Sequence, residues 1–514
     1  MKNELAVIDI GSNSIRYVIF HPVDSGRYIE KINVKVVARL SAHIDEDGAL
    51  DAVGIRLLCE TLQRFYEIGV THFVEETICV ATAAIRNAGN REAIVQAVEQ
   101  ETPFTVRVLS DEQEAYYGYF AIINSTFLTD GYSVDIGGGS MEVTLIENRE
   151  MVAYHSFPFG AVTLTRQFQS GETMTSGEQK KLVKFLREQF DEIPWLKGKK
   201  LPLIGVGGSA RNFVRIHQST LDYPLHGIHQ YQVRSKELGR LIDELEDKPP
   251  KQLAKIEGLS KDRVDIFLPA LIAIHELALH IEADQFVMSN YGLREGLVYE
   301  YDLHDQSQRR VENVREESLY QLESDYKVNR DRMNYLGTIA KSIYRQLVTL
   351  DIIPERAADL RLLDSASRLL YCGQYINPDT RSNQTFYLLT HTDLKGMTHK
   401  DRLALALVSS YSSSKRMQQL LKPFKDWFTE KSIERFDLLG SILKLTEALD
   451  VTERRAVDSL ELVLDKDKKN VRIILDTGDH DYGFEVEKAE KQKKHLERII
   501  DRSIQLDTKG GGLT

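Results

Sequence analysis

The stretch AVIDIGSNSIRYVIF, residues 6–20, decides the fold of the N-terminal part of the chain. An apolar segment carries Asp9 and enters the polar turn Gly11-Ser12-Asn13-Ser14, and a second apolar, partly β-branched segment follows. β-Branched residues favour strands, whereas glycine, serine and asparagine favour turns. The pattern therefore predicts a strand, a glycine turn and a second strand, without the helix that follows a phosphate loop.

The same pattern returns later in the chain. YSVDIGGGSMEVTLIE, residues 132–147, again predicts a strand that carries Asp135, a glycine turn and a second strand. Asp135 follows Asp9 by 126 residues, which is the size of a domain. A single repeat of that size with the same strand–turn–strand chemistry predicts a duplicated fold.

A third glycine turn differs from the first two. In PLIGVGGSARNFV, residues 202–214, the strand leads into a helical pattern at Gly207-Gly208-Ser209. The free N–H groups and the dipole of a helix N-terminus favour an anion. Ser209 is the predicted N-cap of this helix.

The three turns are candidate phosphate sites, because glycine leaves backbone N–H groups open to phosphate oxygens and serine and asparagine add donors. The alternative is a tight turn without a ligand, since short glycine motifs recur by chance. Three turns, two of them with a matched aspartate, favour phosphate. The predicted phosphate-binding residues in the turns are Gly11, Ser12, Asn13, Ser14, Gly137, Gly138, Gly139, Ser140, Gly207, Gly208 and Ser209.

The two strand aspartates predict a metal ion. A carboxylate beside a phosphate is repulsive unless a cation lies between them, and Mg²⁺ is bound by carboxylate and phosphate oxygens together. Asp9, Asp135 and Glu142, which lies just past the second turn, are the predicted metal ligands. Mg²⁺ is the expected ion, and Mn²⁺ is the expected substitute.

Two further segments carry candidate side chains. In LSDEQEAYYGYFA, residues 109–121, an acidic cluster opens a helical pattern, and Glu114 is one candidate base beside two neighbouring acids. Acids in a first helical turn also complement the helix dipole, which is the alternative. In ATAAIRNAGN, residues 81–90, Arg86 suits bidentate phosphate contact, and a structural ion pair is its alternative.

Composition bounds the class of protein. The chain has 514 residues, enough for roughly three to four domains, 42% hydrophobic and 28% charged residues, and three scattered cysteines. We expect a cytoplasmic protein without a membrane span. Residues 305–514 hold 35 Lys+Arg and 34 Asp+Glu, a net charge of +1. Since the whole chain carries −11, residues 1–304 carry −12. This acidic half argues against a general nucleic-acid binder.

Seven motifs in order carry a family resemblance: DIGSNSIR, TAAIRNAGN, EQEA, DIGGGSME, FGAVTL, GVGGSAR and YGLREG. They resemble the exopolyphosphatase/guanosine pentaphosphate phosphohydrolase family over about residues 4–303. The resemblance implies an α/β, duplicated ribonuclease-H-like fold, shared with actin, sugar kinases and heat-shock ATPases. We expect the first such domain at 1–125 and the second at 126–303.

The resemblance also implies residue roles. Glu114, in EQEA, is the expected general base that orients water on the terminal phosphorus. Asp135 and Glu142 are the other expected catalytic carboxylates, near Mg²⁺, and Arg86 is an expected phosphate ligand. Ser209 stands where the family often has threonine, a change that keeps the hydroxyl.

The C-terminal part resembles the helical HD-type phosphohydrolase fold more weakly. We expect an HD-like domain at 304–455, with HDQSQRR, residues 304–310, as the linker. Leu370-Tyr371 and SSYSSSK, residues 409–415, stand where metal ligands belong, so the domain is expected to bind rather than react. A small α+β segment is expected at 456–514, with strands at LELVL, NVRIIL and GFEVE, a helix around 488–506 and a KGGGLT tail.

The expected function is that of an exopolyphosphatase, which releases orthophosphate from the ends of inorganic polyphosphate. Hydrolysis of guanosine pentaphosphate is the alternative, because both substrates end in a phosphoanhydride. A non-catalytic phosphate or nucleotide sensor is a third possibility. We expect a homodimer without a nucleic-acid or membrane partner, and basic clusters such as Lys415-Arg416 and Lys491–Lys494 as a track for the polymer.

Overall fold

The computed structural model describes residues 3–24, 27–304, 310–478 and 481–509. Contacts between Cα atoms divide the chain into two compact units. Unit one holds residues 1–223 and 227–314, and unit two holds residues 224–226 and 315–514. Within the described residues, none of the helices combines the length and the apolar character that a bilayer crossing demands.

Unit one begins with a five-stranded mixed sheet in the order β3-β2-β1-β4-β5. Strands β1, β2 and β3 are antiparallel neighbours, and β4 and β5 continue the sheet in parallel. The elements of this half are β1 (Leu5–Ile10), β2 (Ile15–Pro22), β3 (Tyr28–Val36), α1 (Ala52–Thr71), β4 (Glu76–Ala81), α2 (Ala83–Arg86), α3 (Arg91–Glu101), β5 (Val106–Val108) and α4 (Asp111–Ile123).

The second half of unit one holds a six-stranded sheet in the order β10-β11-β9-β6-β7-β8. Strands β6, β7 and β8 are again antiparallel neighbours, and β9 joins β6 in parallel. The elements are β6 (Gly131–Ile136), β7 (Met141–Glu147), β8 (Glu150–Phe157), α5 (Ala161–Phe168), α6 (Ser176–Asp191), β9 (Leu203–Val206), α7 (Gly207–Thr220), β10 (Gln232–Arg234), α8 (Lys236–Leu245), α9 (Pro250–Leu253), α10 (Phe267–His280), β11 (Gln285–Met288) and α11 (Leu293–Leu303).

The two halves repeat each other in register. β6 begins and ends 126 residues after β1, and β7 begins 126 residues after β2. The β-bulge between β2 and β3 lies at Ile19/Phe20, and the bulge between β7 and β8 lies at Leu145/Ile146, again 126 residues later. Bulges re-aim a strand and are retained features rather than defects. The predicted duplicated fold with its two glycine hairpins is therefore confirmed.

Strand β1 is buried on both faces, which explains its nearly continuous apolar sequence. Ile8 and its alternate neighbours pack in one core with residues of α1. Val7, on the other face, packs in a second core with Tyr117 of α4 and Leu297 of α11. Helices α4 and α11 cross tightly here, because a Cβ atom placed on Gly296 would lie 2.1 Å from the carbonyl oxygen of Tyr117.

Unit two is a helical body followed by a three-stranded sheet in the order β12-β13-β14. Its sequence predicted the helical texture and the first two strands correctly. The elements are α12 (Val314–Asp325), α13 (Arg330–Thr349), α14 (Ala357–Arg368), α15 (Arg381–His391), α16 (His399–Ser409), α17 (Ser414–Leu421), α18 (Glu430–Ala448), β12 (Ser459–Leu464), β13 (Asn470–Asp476), α19 (Gly483–Gln492), α20 (Lys494–Ile500) and β14 (Ser503–Thr508).

Two predictions at the C-terminal end are wrong. GFEVE opens α19 instead of forming a strand: Phe484 is 68% exposed while Val486 is buried, so the two do not share one buried strand face. The helix predicted to reach 506 ends earlier, since Asp501 has a left-handed φ of 51°. Ile504 and Leu506 are then buried at the two-residue period of a strand, parallel to β13. Most of the predicted linker and tail, 305–309 and 510–514, lies outside the described residues.

The crossing of α4 and α11 predicts opposite effects for two glycine substitutions. Gly296→Ala should destabilise these helices by roughly 1–3 kcal/mol, because the added methyl group meets the Tyr117 backbone. Gly118→Ala, the matched control in α4, adds a methyl group into open space and should stabilise by about 0.5–1 kcal/mol through helix propensity. Native-state hydrogen exchange of the α4 and α11 amides measures both, and equal effects would contradict the close crossing.

Candidate active site

The two predicted hairpin turns face each other in unit one. Gly11 donates its N–H to the carbonyl of Ser14 at 3.2 Å, and the equivalent Gly137 donates to Ser140 at 2.9 Å, so both turns are closed in the same way. A Cβ atom on Gly138 would lie 3.2 Å from the Cβ of Ser12. The tips of the turns are therefore adjacent, and one small ligand can contact both.

The carbonyl groups of both turns are held from behind. In the first turn, the carbonyl oxygens of Ser12 and Asn13 accept hydrogen bonds from backbone N–H groups at 41 and 39. In the second, Gly137 and Gly138 accept from the first N–H groups of α5, in the FGAVTL motif. Among the hydrogen bonds of the described residues, none uses the amide of Ser12, Asn13, Gly138 or Gly139 as donor. These amides are free to bind an anion.

The strand aspartates lie in cross-strand rows that differ between the halves. Asp135 pairs with Glu142 on β7, and Ser156 on β8 donates its hydroxyl to Glu142 Oε1 at 3.1 Å. In the first half, Asp9 pairs with Arg16 on β2. Arg16 and Glu142 are also 126 residues apart, so the duplicated position is basic in one half and acidic in the other.

Glu114 lies in the first turn of α4, and Arg86 fixes its side chain. Ser110 caps α4 through a reciprocal capping box with Gln113, which places Glu114 one residue further along. Arg86 donates from Nη1 to Glu114 Oε2 at 2.8 Å, and its Nη2 contacts Asp111 Oδ1 at 2.5 Å. Arg86 thus makes the ion pair that was the alternative to phosphate contact, and its phosphate role stays a prediction.

Burial raises the pKa values of four neighbouring carboxyl groups. The pKa of Glu114 rises to about 7 because of burial and the nearby Asp135 and Asp9, although Arg86 opposes the rise. Burial and Asp9 raise the pKa of Asp135 to about 6, against the opposing effect of nearby arginines. Burial, and then Glu114, raises the pKa of Glu142 well above its ordinary value. Burial also raises the pKa of Asp9, so the four acids share one poorly solvated space. The catalytic roles of Glu114, Asp135 and Glu142 stay a prediction.

The acids suit a metal ion whose remaining ligands come from substrate phosphates and water. Within the described part of the chain, no group of three or more His, Cys, Asp or Glu side chains is arranged to hold a metal by itself. Mg²⁺ typically uses one or two carboxylates together with substrate phosphates and water. The charge of Asp9 raises the pKa of Asp135, and a cation between ligand and protein would relieve this repulsion.

The third glycine turn lies against the same acids. Gly207 has a φ of 79°, a conformation that other residues rarely adopt, and a Cβ atom there would lie 2.2 Å from Asp135 Oδ1. Both the backbone conformation and the available space therefore require glycine. The predicted N-cap at Ser209 is wrong, because α7 begins at Gly207 directly after β9 and Val206 is the N-cap. Ser209 is instead a buried residue of the helix whose hydroxyl accepts from Arg263 Nη1 at 3.3 Å.

Sequence reasoning missed a set of arginines around the acids. Arg294 Nε lies 3.9 Å from Asp9 Oδ2, and the charges of Arg211 and Arg263 oppose the rise in the pKa of Asp135. Arg211 and Arg294 belong to the GVGGSAR and YGLREG motifs, which was a usable signal. Arg263 had no such signal, because it lies in a short 3-10 helix, Lys261–Arg263, which Lys35 contacts through an ion pair with Asp262.

Several buried donors of this region have no partner. They are Asn13 Nδ2, Arg86 Nε, Arg211 Nε and Arg294 Nη1. A buried donor without an acceptor costs roughly 1–3 kcal/mol. An oxyanion ligand would supply acceptors for such groups, which agrees with the free amides of the two turns.

Comparison with known protein families agrees with this geometry. The sequence profile described as the Ppx/GppA phosphatase family matches residues 24–304, and the profile described as Ppx/GppA phosphatase, domain III, matches residues 314–493. The chain belongs to the Ppx/GppA phosphatase family. The family resemblance seen in the seven motifs is thereby confirmed.

Individual relatives extend the family assignment. A protein of Vibrio vulnificus named guanosine-5'-triphosphate,3'-diphosphate pyrophosphatase is 28% identical over 422 residues, which cover 79% of each chain. A crystal structure of the Ppx/GppA family member of Aquifex aeolicus is 26% identical, with a TM-score of 0.53, and covers 59% of this chain and 99% of that one. An exopolyphosphatase structure from Cytophaga hutchinsonii shares the fold at 21% identity, with a TM-score of 0.54 over 58% and 97% of the two chains.

The crowded acids predict a pH-dependent loss of stability in chelator. The pKa of Asp135 is 3.8 in its ordinary state and about 6 in the fold, so the unfolded chain ionises first as pH rises. The free energy of unfolding is therefore highest below pH 3.8 and falls between pH 3.8 and about 6. The loss is at most about 3 kcal/mol. Asp135→Asn should raise the Tm at about pH 8, whereas Glu112→Gln, an exposed acid of α4, should not.

The same thermal unfolding experiment tests the shared metal ion. Added Mg²⁺ should raise the Tm of the wild-type protein more than that of Asp135→Asn, since the variant lacks the carboxylate that the ion would neutralise. An equal Mg²⁺ response in both proteins would remove Asp135 from the set of metal ligands. An unchanged Tm of Asp135→Asn without Mg²⁺ would contradict the electrostatic crowding.

Proposed function

We propose that the protein hydrolyses the terminal phosphoanhydride of guanosine 5'-triphosphate 3'-diphosphate, with water as the nucleophile. The observation that carries the proposal is Glu114, a partly buried carboxyl group with a pKa of about 7 beside two turns whose amides are free. A base is most effective when its pKa lies near the working pH. A non-catalytic sensor would gain nothing from such a base, so hydrolysis is favoured over sensing.

The proposed mechanism is in-line attack of water on the terminal phosphorus. Glu114 Oε accepts a proton from the water, the new P–O bond forms, and the bond to the bridging oxygen breaks with its electron pair. The transition state is loose, so positioning and charge neutralisation dominate. Amides of the turns at 11–14 and 137–140 would hold the phosphoryl oxygens.

The remaining polar groups of the site would neutralise the phosphate charge and orient the base. Mg²⁺, held by Asp135 with Asp9 or Glu142 and by phosphate oxygens, would supply positive charge when bound. Arg294 and Arg211 carry unpartnered buried nitrogen atoms that suit the other phosphates of the substrate. Arg86 orients Glu114 through their 2.8 Å hydrogen bond and is thereby a positioning residue.

The choice of substrate follows from the relatives. From the sequence, inorganic polyphosphate is the expected substrate and guanosine pentaphosphate is the alternative. The Vibrio vulnificus relative, similar over 79% of this chain, carries the name of a guanosine pentaphosphate enzyme. The exopolyphosphatase structure, at 21% identity, supports the fold alone. The relatives therefore favour the second substrate, and polyphosphate stays as the competing one.

Removal of the proposed base tests the mechanism. Glu114→Gln should lower kcat by roughly 10²–10⁴-fold, because the amide cannot accept the proton of water. Substrate binding should be nearly unchanged, since the variant keeps the turns and the arginines. Glu112→Gln serves as the control on the same helix. A Glu114→Gln enzyme with more than about a tenth of the wild-type kcat would exclude this base.

The acid limb of the pH profile tests the role of Arg86. Activity should rise with pH through about 7 as Glu114 loses its proton. Arg86 lowers the pKa of Glu114 by hydrogen bond and charge, so Arg86→Gln should move the limb to higher pH. Arg91→Gln, an exposed neighbour, should leave it in place. The measurement is kcat/KM against pH, and an unmoved limb in Arg86→Gln would contradict the positioning role.

The substrate choice is tested by direct competition. We expect kcat/KM for guanosine pentaphosphate to exceed that for short and long inorganic polyphosphate in the full-length enzyme. Phosphate release from each substrate, measured side by side at two ionic strengths, gives the ratio. A higher value for polyphosphate would return the function to exopolyphosphatase, while the role of Glu114 would stand.

A further inference from the structure

Unit two contains a cavity of about 400 Å³ that the chemistry above does not use. Its walls are formed by the first turn of α15 with the residues just before it, by Arg416 in the first turn of α17 and by Lys444 of α18, with Tyr371 and Ser412 between them. Tyr371 and Ser412 belong to the two segments in which the sequence analysis located the missing metal ligands of the HD-type fold. The cavity therefore lies where the sequence predicts the metal ligands of an HD-type fold to be missing.

Cations line the cavity in place of metal ligands. Arg416 lies on α17 and Lys444 on α18, and among the described residues neither has a carboxylate partner within ion-pair distance. Arg416 donates to the side-chain oxygens of Asn383, at 2.7 and 3.1 Å, and of Gln419 at 3.0 Å. Lys444 Nζ donates to the carbonyl of Ser412 at 2.6 Å. Both positive charges are thus positioned but not neutralised.

A third cation, Arg381, is neutralised. It pairs with Glu447 at 2.9 Å and lies 4.1 Å above the ring of Tyr371. Asp379, an exposed residue, is the acid among the lining residues. Burial lowers the pKa of Lys444, and the positive charges of Arg381, Lys488 and Lys494 lower it further, while Glu447 opposes them. The surroundings of the cavity are therefore strongly positive, which disfavours a divalent cation.

The remaining lining groups suit an oxyanion. Thr380 and Ser412 are the lining residues that bring a hydroxyl group, since the hydroxyl of Ser382 already donates to the carbonyl of Ser410. Helix α15 begins at Arg381, and the side chain of its N-cap, Thr380, caps none of the first amides. Guanidinium, ammonium, hydroxyl and helix N-terminal amide groups together form the donor set that proteins use for phosphate. A volume of about 400 Å³ accommodates more than a single phosphate group.

We propose that this cavity of unit two binds the diphosphate group of a small ligand, either an inorganic diphosphate or a nucleoside diphosphate. Arg416 and Lys444 are the principal contacts. The site is separate from the cleft of unit one and does not depend on the substrate proposed for that cleft. The basic cluster Lys415-Arg416, predicted as part of a polymer track, is then divided in function: Arg416 faces a ligand pocket, while Lys415 is exposed.

Hydrogen exchange of the full-length Glu114→Gln protein tests the proposal, because this variant should turn ligands over roughly 10²–10⁴-fold more slowly than the wild type. Inorganic pyrophosphate and GDP are the probes, each against acetate at equal ionic strength. We expect either probe to protect amides at 380–383 and 412–416. A lower midpoint for GDP identifies a nucleotide, and equal midpoints identify the inorganic group. No protection there by either probe at saturation would overturn the proposal.

Paired variants locate the contacts. Arg416→Gln with Lys444→Gln should raise the midpoint of protection by about tenfold for each charge removed. Lys415→Gln with Lys431→Gln, exposed residues on the same two helices, removes equal charge and should change it little. Equal effects of the two pairs would mean non-specific attraction and would overturn the proposal. Protection at 11–14 and 137–140, in the other unit, should be the same in all variants.

Discussion

The free amides of the two turns depend on hydrogen bonds made on the opposite side of each turn. A glycine hairpin exposes N–H and C=O groups together, and the carbonyl oxygens would repel a phosphate. Here Arg39 and Ser41 bind the carbonyls of the first turn, and the start of α5 binds those of the second. Segments outside the two turns thus occupy the turn carbonyls and leave the turn amides available to an anion.

The acids of the cleft oppose folding and favour chemistry. Four carboxyl groups that share a buried space have raised pKa values, so each one that ionises destabilises the folded state. The strands hold them in place through their register: Asp135, Glu142 and Ser156 form one row across β6, β7 and β8. The hydrophobic cores around these acids offset the cost of burying carboxyl groups so close together.

The sequence predicted the parts of this arrangement that are local. Strand–turn–strand patterns, the start of α4 and the duplicated spacing depend on neighbouring residues, and the structure has all three. The ion pair of Arg86 with Glu114, the arrival of Arg263 over Gly208 and the end of the last helix at Asp501 depend on distant packing or on one backbone angle. Such features leave no periodic signal in the chain. The N-cap of α7 was misplaced for a related reason, since Gly207 permits a helix to begin without a capping side chain.

The difference between Arg16 and Glu142 gives the cleft a direction. A duplicated fold with identical halves would present the same face to both ends of a ligand, and a phosphoanhydride could then lie in either orientation. A basic residue lies opposite Asp9 and an acidic one opposite Asp135. Under the proposed mechanism, the anionic body of the substrate would be drawn to the side of Arg16, and the phosphorus that reacts would lie on the side of Glu142. The opposite charges at this one duplicated position thus make two strand pairs of the same register electrostatically unlike.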